Sequence, residues 1–82
     1  MRIGYFGGSI PRRDQLRFKK LLFRTTRGKA LVQFFDMQVP VEDRLVGVND
    51  HVEKIIYVVM FEEGRVIRDR IQKLCSSFLE PL

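Results

Sequence analysis

An 82-residue chain with 45% hydrophobic and 30% charged residues has room for one small domain, and its composition excludes a disordered tail. Its longest apolar run, Ile55 to Phe61, is seven residues against roughly 20 needed to cross a bilayer. One cysteine excludes an internal disulfide, and the amino terminus lacks the charged, apolar, small-residue order of a signal peptide, so a reducing compartment is expected.

The net charge of +5 conceals an asymmetry. The first 35 residues carry nine basic side chains and one acidic one, Asp14, for a net +8. The remainder carries six basic and nine acidic side chains, for a net −3. A basic half without internal neutralisation attracts phosphates, acidic lipid surfaces or acidic protein faces.

Ile3 to Ile10 is apolar and interrupted by Gly4, Gly7 and Gly8, which suits a strand closely approached by other groups. Gly7-Gly8-Ser9-Ile10-Pro11 has neither the spacing nor the lysine of a phosphate-binding loop. A helix should follow, running from about Arg12 or Asp14 to Arg27. Pro11 suits its approach, Asp14 is placed to cap it, and Gly28 can close it in the left-handed conformation. Phe18, Leu21, Leu22 and Thr25 fall at i, i+3, i+4 and i+7 and form its core face.

Ala30 to Val39, rich in β-branched and aromatic residues, reads as a second strand bounded by Pro40. Val41 to Glu53 is an acidic connection, and Ile55 to Phe61 is a third strand, antiparallel to the second. From Glu62 onward Ile67, Ile71, Leu74, Cys75 and Phe78 mark a second amphipathic helix, ended by Pro81. Arg65, Asp69 and Lys73 form an i+4 ladder of opposite charges on its outer side. Glu62 and Glu63 suit the positive end of its dipole.

The expected fold is α+β, a two-layer sandwich. It has a split β-α-β-β-α(-β) order, with two helices on one face of a small mixed sheet and the last strand absent. With the first strand between the third and the absent fourth, its outer edge is open, a route to self-association. Residues 1–82 then form a single lobe cut from a longer chain.

On a helical wheel Arg13, Arg17, Lys20, Arg24 and Arg27 gather opposite the core face of the first helix, with Leu16 and Phe23 at the margin. Like charges at i+3 and i+4 cost a few tenths of a kcal/mol each, so the stripe suits an anionic partner better than it suits helix stability. An aromatic beside arginines is a common interface anchor. These seven residues are the candidate binding site, although Phe23 would also fit under a loop of its own chain.

Catalytic and metal-binding sets are missing. His51 and Cys75 stand alone, Cys75 on an apolar helix face and His51 in a connection, and no cofactor is expected. Arg27-Gly28-Lys29-Ala30-Leu31-Val32-Gln33-Phe34 partly matches an RNA-recognition signature. Lys29 and Leu31 replace the stacking aromatics of that signature, so an RNA-binding module is the alternative reading.

Four segments together resemble the cytosolic amino-terminal region of subunit a of the vacuolar-type proton-translocating ATPase. Gly8-Ser9-Ile10-Pro11-Arg12 resembles the family's Gly-Val-Ile-x-Arg lead into the helix. Phe18 to Lys29 resembles Phe-x-x-Leu-Leu-Trp-Arg-x-x-Arg-Gly-Asn, with Phe23 at the tryptophan and Lys29 at the asparagine. Val39-Pro40-Val41-Glu42-Asp43 resembles the Pro-x-x-Asp connection. Gly64 to Phe78 resembles Gly-x-x-x-x-x-Arg-Val-x-Lys-Ile-Cys-x-x-Phe.

The resemblance implies a non-catalytic distal lobe of a stator subunit on the cytosolic face of vacuolar, lysosomal or other endomembranes. It implies V-ATPase subunits E, G and C as partners, the first two as the peripheral-stalk heterodimer, and phosphoinositide lipids as a further ligand.

Overall fold

The computed structural model describes residues 2–36 and 53–78. The order is β1 (Ile3–Pro11), a 3-10 turn (Arg12–Asp14), α1 (Gln15–Thr26), β2 (Ala30–Asp36), β3 (Lys54–Glu62) and α2 (Arg65–Ser77). Met37 to Val39, the connection up to residue 52, His51 and Pro81 lie outside the described residues.

The sheet order is β1-β3-β2, and both neighbours run antiparallel to β3. The expected mixed sheet is therefore corrected to an antiparallel one among the described residues. β3 takes the slot between β1 and β2, which would otherwise have met in parallel. Among the described residues β1 pairs with β3 alone, so its far edge has no strand beside it.

Strand alternation sorts the side chains between two faces. Ile10 of β1, Ile55, Tyr57, Val59 and Phe61 of β3, and partly Ala30, Val32 and Phe34 of β2 face the helices. Gly4 and Gly8 lie on this same face, where a Cβ would come 2.5 Å from the Phe61 ring and from the Tyr57 hydroxyl respectively. Those two aromatic rings occupy the space that the missing side chains leave.

The core centres on Phe18 of α1, which is fully buried. Its ring meets Tyr57 at 4.5 Å and makes edge contacts with Phe78 at 5.2 Å and Phe34 at 6.2 Å. One side chain thus joins α1, the end of α2 and two strands. Leu22 and Ile71 complete the layer.

The ends of α1 differ from expectation in two details. Asp14 stands at the N-cap position without a side-chain cap bond, and its carboxylate lies 3.6 Å from Arg17 instead. At the other end Arg27 enters the left-handed region first (φ 56°), followed by Gly28 (φ 79°), and the Gly28 N–H donates to the Phe23 carbonyl. The termination is of the expected kind, one residue early. The buried threonine is Thr26 rather than Thr25, with its hydroxyl donating to the Leu22 carbonyl at 2.8 Å.

Candidate functional site

The solvent side of α1 follows from what its other side buries. With Phe18, Leu22 and Thr26 turned to the sheet, the opposite arc carries Leu16, Lys20, Phe23, Arg24 and the C-capping Arg27. All five are exposed. Leu16 keeps 61% and Phe23 67% of their surface in solvent, and none of the described elements covers them. The Phe23 ring lies close to Gly28, where a Cβ would come within 3.1 Å of it.

The seven residues singled out from sequence do not all behave alike. Lys20, Arg24 and Arg27 have no ion-pair partner among the described residues. Arg17 is exposed but held at the domain surface, with Asp14 at 3.6 Å and its guanidinium 4.7 Å from the Phe78 ring centre. Its charge therefore also serves the fold. Arg13 belongs to the 3-10 turn ahead of α1 and is exposed.

Other arginines close contacts within the domain. Arg12 pairs with Asp36 and reaches Glu53 at 3.1 Å, fastening the end of β1 to β2 and to the residue before β3. Arg68 donates twice to Glu63, at 2.7 and 2.6 Å, and lies over the Phe6 and Phe61 rings. Those hydrogen bonds hold the Glu63 carboxyl below its usual range.

Two features escaped the sequence reading. Arg27 and Lys29 share a groove of about 800 Å³ with Arg65 and Arg70, formed where the end of α1 meets the start of α2. No one-dimensional pattern joins those two pairs. The second feature is the sheet face away from the helices, where Ile3, Tyr5, Leu31 and Phe35 are exposed. Its signal was present in β3, which is apolar at both parities from Ile55 to Phe61.

The RNA-binding alternative is not supported. Phe34 packs inward on Phe18, and the outward residues of the central strand, Ile56, Val58 and Met60, are aliphatic. A sheet of that kind stacks bases on aromatic side chains of its central strands, whereas the exposed aromatics of this face, Tyr5 and Phe35, stand on the two outer strands. Cys75 packs against the core beside Tyr57, and burial raises both the thiol and the phenol pKa, as befits inert interior groups. Among the described residues no group of three or more metal-ligating side chains occurs, and no helix is long and apolar enough to cross a membrane.

Fold and surface together define a small α+β lobe whose first helix turns a basic, apolar-studded face outward. The family model for the V-type ATPase 116 kDa subunit family matches residues 1–81, and the chain belongs to that family. It is 31% identical over 77 residues to the human V-type proton ATPase 116 kDa subunit a 4, covering 94% of this chain. It is 32% identical over 78 residues to V-type proton ATPase subunit a3 of Arabidopsis thaliana, and 30% identical over 78 residues to subunit a 1 of Gallus gallus. The chain spans 9% of the length of each of these relatives.

Proposed function

We propose that this chain is a non-catalytic stator lobe of a V-type proton pump, docking through the outer face of α1 onto an acidic helical partner. The carrying observation is the pairing of two exposed apolar side chains, Leu16 and Phe23, with Lys20, Arg24 and Arg27, none of which has an acidic partner among the described residues. Exposed cations steer an acidic partner into place, and the two apolar side chains supply burial once it docks. Subunits E, G and C of the pump are the partners this reading assigns. It puts the lobe on the cytosolic face of a vacuolar, lysosomal or other endomembrane.

The test is calorimetric binding to purified subunits E, G and C, the first two supplied as their heterodimer. Replacing Lys20 and Arg24 by Glu and Phe23 by Ala should weaken binding by about 100-fold, or about 2.7 kcal/mol, with an unchanged circular dichroism spectrum. Retained binding contradicts the proposal. Arg17 is best left intact, since it also packs on Phe78.

Phosphoinositide binding is the second reading, favoured by the convergence of Arg27, Lys29, Arg65 and Arg70 around one groove, which Glu62 and Glu63 also line. Each cation near an anionic leaflet contributes about 1 kcal/mol. Sedimentation with vesicles differing only in phosphoinositide content tests it, and indifference to lipid charge removes it.

A further inference from the structure

The antiparallel ladder fixes which backbone groups of β1 are already used. At one end the Glu63 N–H donates to the Arg2 carbonyl at 2.8 Å, and at the other the Arg12 N–H donates to the Glu53 carbonyl at 2.7 Å. In such a ladder, residues bonded across to the neighbouring strand alternate with residues whose N–H and C=O groups point the other way. The register is unbroken from Ile3 to Pro11, so both ends give one answer. Gly4, Phe6, Gly8 and Ile10 bond to β3, while Ile3, Tyr5, Gly7 and Ser9 turn their backbone groups to the outer edge. Those four residues are exposed.

Edge strands in natural proteins are shielded by charges, prolines, bulges or brevity. β1 has nine residues, no charge between Arg2 and Arg12, no bulge against β3, and its one proline at the last position. Topology then decides which edge of the sheet a further strand takes. Arg68 stands over the Phe6 and Phe61 rings, and Cys75 lies beside Tyr57, the partner of Gly8. α2 therefore travels along β1 toward its Pro11 end. A strand returning from there beside β1 runs parallel to β3. Because both helices lie on one face, its crossover through α2 has the same hand as β1-α1-β2. Beyond β2 the hand would be opposite. Crossovers between parallel strands are right-handed in about 98% of cases, which selects the edge of β1.

We propose that an extended segment of the same polypeptide, from beyond residue 82, pairs antiparallel with β1 through the backbone groups of Ile3, Tyr5, Gly7 and Ser9 and completes the sheet. The relatives have ample chain for such a segment, since this chain spans 9% of their length. Pairing beside Ile3 and Tyr5 suits β-branched or aromatic side chains in it. The inference rests on family membership and on the ladder, not on the docking of α1, so loss of stalk binding would leave it standing.

Residue-resolved hydrogen exchange tests it by comparing the 82-residue chain with the full-length subunit in the assembled pump. The amides of Phe6, Gly8 and Ile10, bonded to β3, should be protected in both samples and report the fold. Those of Tyr5, Gly7 and Ser9 should exchange at least about 100-fold more slowly in the full-length subunit. Gly7→Pro removes one edge-facing N–H and leaves the β3 ladder alone, and a Cβ at this position meets only the Tyr57 carbonyl, at 3.7 Å. It should change exchange at Phe6 and Ile10 of the 82-residue chain by no more than about threefold, yet cut the extra protection of Tyr5 and Ser9 at least about tenfold in the full-length subunit. Tyr5→p-benzoylphenylalanine supplies a photo-cross-linker on the same edge, and its adduct should map to the same polypeptide beyond residue 82. Equal exchange at the edge amides of both samples, or an adduct with another subunit or a lipid, would overturn the proposal.

Discussion

α1 and α2 lie side by side on one face of the sheet, and each buries an apolar stripe: Phe18, Leu22 and Thr26 on the first, Ile71 with Ile67, Leu74 and Cys75 on the second. Their outer faces handle charge differently. On α2, Lys73 reaches Asp69 at 3.2 Å and Arg68 grips Glu63 ahead of the helix, while Arg65 and Arg70 have no ion-pair partner among the described residues. On α1, Arg17 has a neighbouring carboxylate, while Lys20, Arg24 and Arg27 have none among the described residues. A charge with a neighbour of opposite sign is explained by its own domain. The unpaired cations of α1 stand beside two large exposed apolar side chains, Leu16 and Phe23, where α2 exposes Val66, which is why α1 rather than α2 carries the docking proposal.

The comparison breaks most completely at the side chain that both helices share. Phe18→Ala empties the contact between α1, Tyr57, Phe34 and Phe78. A loss of about 3–5 kcal/mol is expected in urea unfolding, a large part of what so small a domain has. Gly8→Ala should cost about 1–3 kcal/mol in the same assay, because its Cβ would press on Tyr57, the ring that seats Phe18.

Smaller changes sharpen the contrast between the two outer faces. Glu63 has a lowered pKa owing to its hydrogen bonds from Arg68, so its contribution to stability is present above the ordinary carboxylate range. That contribution is lost as pH falls through the lowered pKa. Glu63→Gln should therefore melt below the unaltered chain at neutral pH, and the two melting temperatures should converge in acid. Lys73→Ala should cost about 0.3–0.5 kcal/mol for its i, i+4 pair. Lys20→Ala, with no partner to lose among the described residues, should stay within about 0.5 kcal/mol of the unaltered chain.

How much of this was legible beforehand can be argued element by element. The five elements and their order followed from periodicity, because Phe18 to Thr25 and Ile67 to Phe78 repeat at helical spacing and the runs between them do not. The basic face of α1 was legible for the same reason, since a wheel needs no tertiary information. The contact of Arg17 with Phe78 was not, because Phe78 is remote in sequence and only folding brings its ring within 4.7 Å of the guanidinium. The missing Asp14 cap bond was hidden too, since Arg17 competes for that carboxylate. The place of β3 beside both β1 and β2 followed from the split β-α-β order, but the antiparallel sense of the whole sheet depends on pairings that no local pattern records.

The central claim is that the outer face of α1 binds the stalk and that of α2 does not. Its most direct test sets matched charge changes on the two helices side by side, Lys20→Glu with Arg24→Glu on α1 against Arg70→Glu with Lys73→Glu on α2. Affinity for the E–G heterodimer is measured for both. The account predicts a loss of at least about tenfold for the α1 pair and a change within about threefold for the α2 pair. Equal losses on both helices, or a larger one on α2, would contradict it.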